Sequence, residues 1–143
     1  MHNRYSVIEK VIFLQDIDVF KDVRTEDLAL LAAVAEERSF MPGEHIYKIN
    51  ESGDALYLVI DGQVRLHRDD REISVIGPRE ALGTWALFDT QPRVATATAL
   101  ELTEVLKISR DDFYDLLADH VRITEAVLKS LAGRLRALVE RVG

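Results

Sequence analysis

Between Ser39 and Ser109 the chain breaks into short β-type runs separated by turn residues every eight to twelve positions, a spacing that a β-sandwich or barrel accommodates and a helical bundle does not. Met41-Pro42-Gly43-Glu44 reads as a turn, His45 to Ile49 as a strand, and Asn50-Glu51-Ser52-Gly53-Asp54 as the next turn. Ala55 to Ile60 is a buried strand. Asp61-Gly62 makes a tight hairpin into Gln63 to Arg68, which alternates polar and apolar residues as a half-exposed strand should. Asp69-Asp70-Arg71 turns the chain into Glu72 to Ile76, Gly77-Pro78 stops it, and Val94 to Ala99 and Thr103 to Ile108 supply the closing strands.

The flanks are helical. Tyr5 to Leu14 carries Val7, Ile8, Val11, Ile12 and Leu14 at near-helical spacing, with Glu9 and Lys10 expected on the other side. Its apolar face docks either on this domain or on a preceding one. Thr25 reads as an N-cap with Glu26 and Asp27 in the first turn, followed by Leu28, Leu31, Ala32 and Ala35 on one face and an end near Arg38. Ser109 with Asp112 is a capping-box-like start for a helix through about Asp119. A last helix runs from Val121 nearly to Gly143. Its Val121, Leu128, Leu131, Leu135, Leu138 and Val142 fit the a and d places of three heptads, with Thr124 the one polar d position. That stripe suits a homodimer seam through residues 121–142, or one face packed on the sheets.

One stretch carries chemistry. In Ala81-Leu82-Gly83-Thr84-Trp85-Ala86-Leu87-Phe88-Asp89-Thr90-Gln91-Pro92-Arg93-Val94-Ala95-Thr96, a glycine stands at a strand-to-helix corner and an arginine follows ten residues later. A short helix opening near Gly83 aims backbone N–H groups at an anion, and glycine lets the backbone approach closely. The Arg93 guanidinium fork suits two phosphate oxygens. On these residues alone, a turn glycine and a solvated surface arginine are the simpler account of the pattern.

The totals narrow the partners. At 143 residues the chain fits one domain, a size at which roughly 70% of the unfolded surface is buried. A net charge of −7 argues against nucleic acid, so an anionic ligand needs a local site that overrides the general charge. Without cysteine there are neither disulfides nor thiolate metal sites, which suits a reducing cytoplasm. Apolar runs such as Val11-Ile12-Phe13-Leu14 are too short to span a bilayer, and no charged-then-apolar leader appears. The four histidines, His2, His45, His67 and His120, form no His-x-His pair, so neither a metal nor a cupin-type enzyme is expected.

The frame around residues 81–96, with glycines at 43, 53, 62 and 77, resembles the cyclic nucleotide-binding domain of the catabolite activator protein and of protein kinase A regulatory subunits from about Phe20 to the C-terminus. The family pattern, roughly Phe-Gly-Glu, a small or apolar residue, Ala-Leu, a short loop and Arg-Ser/Thr/Ala-Ala, is met by Leu82-Gly83-Thr84-Trp85-Ala86-Leu87 and Arg93-Val94-Ala95. The resemblance implies a mainly β fold with flanking helices: an eight-stranded, jelly-roll-like β-barrel over 39–109, N-terminal helices over 1–38, and two C-terminal helices over 110–143, forming one domain. It implies a regulatory, non-catalytic module, a part of a larger regulated protein. The module would sense cyclic AMP, cyclic GMP or a related phosphate-bearing effector by moving its last helix.

Under that resemblance Gly83 and the backbone of Leu82 to Ala86 hold the phosphate and Arg93 neutralises it. Val94 replaces a frequent serine, while Ala95 keeps the small residue that follows. Arg134 matches an arginine that reaches towards the ribose, and Leu66, Ile73 and Ser74 would stand on the base side. Leu138 and Val139 fall where hydroxyls would read adenine. Thr84 departs from the family: a glutamate there binds the ribose 2′-hydroxyl. A hydrogen bond to a charged group contributes about 1.5–3 kcal/mol, so its loss is expected to weaken a cyclic mononucleotide about ten- to a hundredfold or more. A pocket without a ligand, with the domain acting in dimerisation or docking, is the alternative. A helix-turn-helix is expected to have no residues left to form it after Gly143.

Overall fold

The computed structural model describes residues 4–142; His2, Gly143 and the Val142 side chain lie outside the described residues. Helix α1 (Val7–Leu14) opens the fold, followed by a 3₁₀ turn (Asp18–Phe20) and α2 (Thr25–Val34). Eight strands come next: β1 (Glu36–Phe40), β2 (His45–Tyr47), β3 (Ala55–Asp61), β4 (Val64–Arg68), β5 (Arg71–Ile76), β6 (Ala81–Leu82), β7 (Thr96–Ala99) and β8 (Thr103–Ser109). A second 3₁₀ turn (Thr84–Leu87) sits between β6 and β7, and α3 (Arg110–Asp119) and α4 (Val121–Val142) close the chain. The strands form two antiparallel sheets, ordered β1-β8-β3-β6 and β2-β7-β4-β5. The jelly-roll expectation therefore holds as two facing sheets with open edges rather than as a closed barrel.

The core has two compartments, and β3 separates them. Its alternate residues Ala55, Tyr57 and Val59 point between the sheets with Ile46, Val64, Leu82, Ala97 and Val105. Leu56 and Leu58 point the other way, joining Leu106, Ile108, Phe20, Phe113, Ile123 and Val127 under the helices. A strand covered on both faces reads as a continuous apolar run, which is why Ala55–Ile60 shows no alternation. Each fully buried leucine here contributes about 1.5–3 kcal/mol of apolar transfer free energy.

Local signals explain the starts of α1 and α3. α1 begins with a full capping box, Glu9 N donating to Ser6 Oγ (3.1 Å) and Ser6 N to Glu9 Oε1 (3.0 Å). Ser109 Oγ accepts from Asp112 N (3.2 Å) at the start of α3, as its sequence indicated. Elsewhere tertiary pairing overrides the local pattern. α2 has Arg24 in the cap position with no side-chain bond, Thr25 as its first residue, and an end at Val34 instead of near Arg38. Glu36 to Phe40 are drawn into the first sheet, pairing with Lys107 to Thr103 of β8. Lys10, expected in solvent, is buried, donating from Nζ to the Ala35 carbonyl (3.0 Å), whereas Val7, Ile8 and Ile12 stay exposed.

Among the described residues, α4 packs apolar side chains on the core in its first half only. Ile123 and Val127 enter the core and Leu131 is partly buried against it. Polar ties reinforce this seat: Arg122 Nη2 to Asp27 Oδ1 (2.6 Å), Ser130 Oγ to Asp22 Oδ2 (3.0 Å) and Arg134 Nη1 to Asp18 Oδ2 (3.3 Å). Thr124 Oγ1 donates to the Leu117 carbonyl (2.9 Å) instead of joining a seam. Of the heptad stripe, Leu131 packs at home, whereas Val121, Leu128, Leu135 and Leu138 remain exposed.

Candidate functional site

The corner after β6 is built around Gly83, which adopts a left-handed conformation (φ 68°, ψ 28°) that glycine tolerates without a Cβ penalty. The Thr84–Leu87 turn that follows closes with Ala86 N onto the Gly83 carbonyl (3.0 Å), leaving the N–H groups of Thr84 and Trp85 ahead of its ladder. Buried Ala86 and Leu87 root the turn, and Phe88 meets Phe113 of α3 edge-on (5.7 Å between ring centroids). Arg110, which the sequence did not single out, locks the corner from below: its Nη1 donates to the carbonyls of Gly53 (2.7 Å), Ala86 (3.1 Å) and Asp89 (2.8 Å). Nothing in its local sequence marks that task, since Gly53 lies 57 residues away and Ala86 and Asp89, on one segment, lie 24 and 21 away.

Arg93 is 8% exposed, and its backbone is pinned to the 50–51 turn: Asn50 N donates to the Arg93 carbonyl and Arg93 N to the Glu51 carbonyl, both at 2.8 Å. That pairing also delays β7, which starts at Thr96 instead of Val94. The side chain turns inward, its Nη2 donating to the Ala55 carbonyl (2.8 Å). Its guanidinium carbon lies 4.0 Å from the ring centroid of Tyr47 and 6.0 Å from that of Tyr57. Among the described residues no carboxylate pairs with it, and its buried Nε has no hydrogen-bond partner. Burial raises the pKa of Tyr47 and of Tyr57 above the ordinary phenol value, so both offer a neutral ring face and no countercharge.

These groups border a cavity of about 530 Å³, within the range of small-molecule sites. Of the residues expected there, Leu66, Gly83, Thr84, Trp85, Ala86, Arg93, Val94, Ala95 and Arg134 line it. Leu82 does not; its buried side chain belongs to the packing between the sheets. Ile73 and Ser74 are also placed elsewhere, because β5 is an edge strand whose Ile73 is 51% exposed and whose Ser74 is exposed too. Tyr47, Gly53, Asp89, Gln91 and Pro92 also line it, although none was expected to touch the ligand.

Trp85 is 53% exposed and borders the cavity without filling it. Arg134 arrives from α4, its guanidinium 5.2 Å from the Trp85 ring centroid and 3.3 Å from the Asp18 carboxylate. Leu138 and Val139, one turn further on, are exposed and take no part in the lining. A neighbouring hollow of about 300 Å³ shares Ala81, Thr84 and Arg134 with the main cavity, so Thr84 stands at the boundary between the two.

Two histidines that are far apart in sequence converge: His45 Nδ1 and His67 Nε2 each lie 2.8 Å from Thr98 Oγ1, on the second sheet and outside the cavity lining. Among the described residues no group of three or more His, Cys, Asp or Glu could hold a metal ion.

The cyclic nucleotide-binding domain family is matched over residues 37–120. The chain is 32% identical over 123 residues to a CRP-like cAMP-activated global transcriptional regulator of Mycobacterium tuberculosis, covering 82% of this chain and 55% of that protein. The N-terminal domain of a transcriptional regulator from Streptomyces coelicolor A3(2) superposes with a TM-score of 0.85 at 31% identity, over 92% of this chain and 95% of that one. The catabolite activator protein of Thermus thermophilus gives a TM-score of 0.69 at 30% identity, over 88% of this chain and 62% of that one. The chain thus spans about half the length of the curated regulator it matches.

Proposed function

The chain belongs to the cyclic nucleotide-binding domain family, and on that premise we propose that the cavity beside Gly83 and Arg93 receives a phosphate-bearing effector of the cyclic nucleotide class and reports it through α4. One observation carries the reading: a buried guanidinium that no carboxylate among the described residues pairs with, and an unmade hydrogen bond. Holding such a cation out of water is costly, and an anion seated against it offsets both the missing charge and the missing acceptor. Gly83 and the first N–H groups of the 3₁₀ turn supply the rest of the phosphate cradle.

Thr84 sets the expected affinity low for a ribose-bearing ligand, because a hydroxyl replaces the family's carboxylate. Arg134 couples the cavity to α4, the helix that would move. A ligand that contacts Arg134 differently in two helix positions shifts the balance between them. The reading is a non-catalytic, cytoplasmic module in which residues 1–143 act as one unit of a larger regulated protein, with cyclic AMP and cyclic GMP the first ligands to try. No described helix is long and apolar enough to cross a membrane. Thermal melting with each nucleotide at millimolar concentration tests the ligand: an upward shift that vanishes in Arg93→Ala supports it, and no shift in the unaltered chain removes it.

A second use of the domain, as a homodimerisation module through residues 121–142, rests on the exposed apolar side chains of α4, among them Leu135 at 63% and Leu138 at 53%. Light scattering of the unaltered chain against Leu135→Asp tests it. A dimer that becomes a monomer with unchanged melting supports the seam; equal masses exclude a seam through that residue. Leu131→Asp is the poorer probe, since Leu131 packs on the core and its loss would be read as unfolding.

A further inference from the structure

A cation that faces a cavity instead of bulk water needs a support that does not neutralise it. A carboxylate beside Arg93 would hold it but would occupy the charge a ligand requires. The aromatic face of Tyr47 does the first without the second: the ring's negative quadrupole attracts the guanidinium, yet the cation keeps its charge.

Tyr47 reaches this place through an irregularity in the sheet. In the β2–β7 pairing His45 faces Thr98 and Tyr47 faces Ala97, a slip of register that sets two steps of β2 against one of β7. Such a bulge re-aims the side chain that follows it. Tyr57 of β3 stands beside Tyr47, centroid to centroid 6.1 Å at 40°, and limits where the Tyr47 ring can go. The missing side chain at Gly83 leaves the room that Arg93 Nη1 takes up.

We propose that Tyr47 is the positioning residue of the anion site: its ring face holds the Arg93 guanidinium turned inward and charged, ready for a ligand oxygen. The ligand half of this statement rests on the reading of the cavity as an anion site. The support half concerns the chain alone.

Nitrogen-15 NMR of the full chain separates them. Without ligand, the Arg93 Nε–H resonance, assigned by its loss in Arg93→Lys, is expected to be displaced by the Tyr47 ring current and slow to exchange. Tyr47→Phe should preserve both properties. Tyr47→Leu and Tyr47→Met, which keep apolar bulk but remove the ring face, should return the resonance to the ordinary arginine range. Titrated with cyclic AMP, Tyr47→Phe should bind within about twofold of the unaltered chain, and Tyr47→Leu roughly 2- to 30-fold more weakly. In an Arg93→Ala background Tyr47→Leu should make no further difference. An ordinary, rapidly exchanging Nε–H in the unaltered chain overturns the proposal, as does a resonance that ignores the loss of the ring. If the unaltered chain binds neither cyclic AMP nor cyclic GMP, the ligand reading fails, while the ligand-free spectra still decide whether Tyr47 holds Arg93.

Discussion

The guanidinium of Arg93 occupies the space that a side chain at Gly83 would need. A Cβ built on Gly83 would run into Arg93 Nη1 and would lie 3.1 Å from both the Arg93 guanidinium carbon and the Ala55 carbonyl oxygen. The glycine therefore serves two ends, a left-handed backbone (φ 68°) and a vacancy for the cation.

Gly83→Ala should in consequence do more than strain a turn. The left-handed conformation alone costs on the order of 1 kcal/mol for alanine, and Arg93 must leave its seat as well. Calorimetry should show a lower melting temperature, and any nucleotide-dependent shift should disappear with it. An alanine variant that melts and binds like the unaltered chain would show that Arg93 does not need the space.

Arg93→Met should separate stability from binding. The unaltered chain keeps a desolvated cation that no carboxylate among the described residues pairs with, an arrangement that apolar replacements of similar volume often match or improve on in stability. The ligand-free variant is therefore expected to melt at or above the temperature of the unaltered chain, with its response to cyclic nucleotides abolished. A large drop in melting temperature would mean that the Ala55 carbonyl bond and the Tyr47 contact outweigh the burial cost.

Trp85 is the chain's single tryptophan and it lies against Arg134, so its fluorescence reports on α4 directly. Arg134→Ala should change the emission before any ligand is added. In the unaltered chain a ligand that moves α4 should change it too, and Asp18→Asn, which removes the 3.3 Å ion pair, should make that response easier to elicit. Emission that stays constant while a ligand raises the melting temperature would show binding without movement of Arg134.

Tyr5, Tyr47 and Tyr57 are expected to weaken the fold at alkaline pH. Burial is the leading cause that raises the pKa of Tyr47, Tyr57 and Tyr5 above the ordinary 10.0. With the folded value above the unfolded one, the neutral form is favoured by folding. Their contribution is fully present below about pH 10 and is lost as pH rises through the folded values. Melting temperature should fall above pH 10, and less steeply in Tyr47→Phe than in the unaltered chain. An identical fall in both would remove Tyr47 from the alkaline transition.

Much of the fold was legible along the chain because its signals are local. Turn residues at Met41–Glu44 and Asp61-Gly62 mark where strands must end, and Ser109 caps α3 with its own hydroxyl. The left-handed corner at Gly83 and the arginine ten residues later were visible for the same reason. Where Ile73 and Ser74 stand relative to the cavity was not legible, because nothing local tells an edge strand from a central one; that depends on which strands pair with it. Helix α2 stops short of the helical pattern that leads to Arg38 because Glu36 to Phe40 take their conformation from β8, more than sixty residues away.

By itself the sequence determined the order of helices and strands, the corner glycine and the placing of Thr84 and Arg93 within residues 81–96. Whether that arginine meets water or a cavity was decided only when β2, β3 and the 50–51 turn closed around it. Backbone conformation follows from each residue and its nearest neighbours, whereas the burial of a charge follows from remote side chains that the chain brings together only on folding.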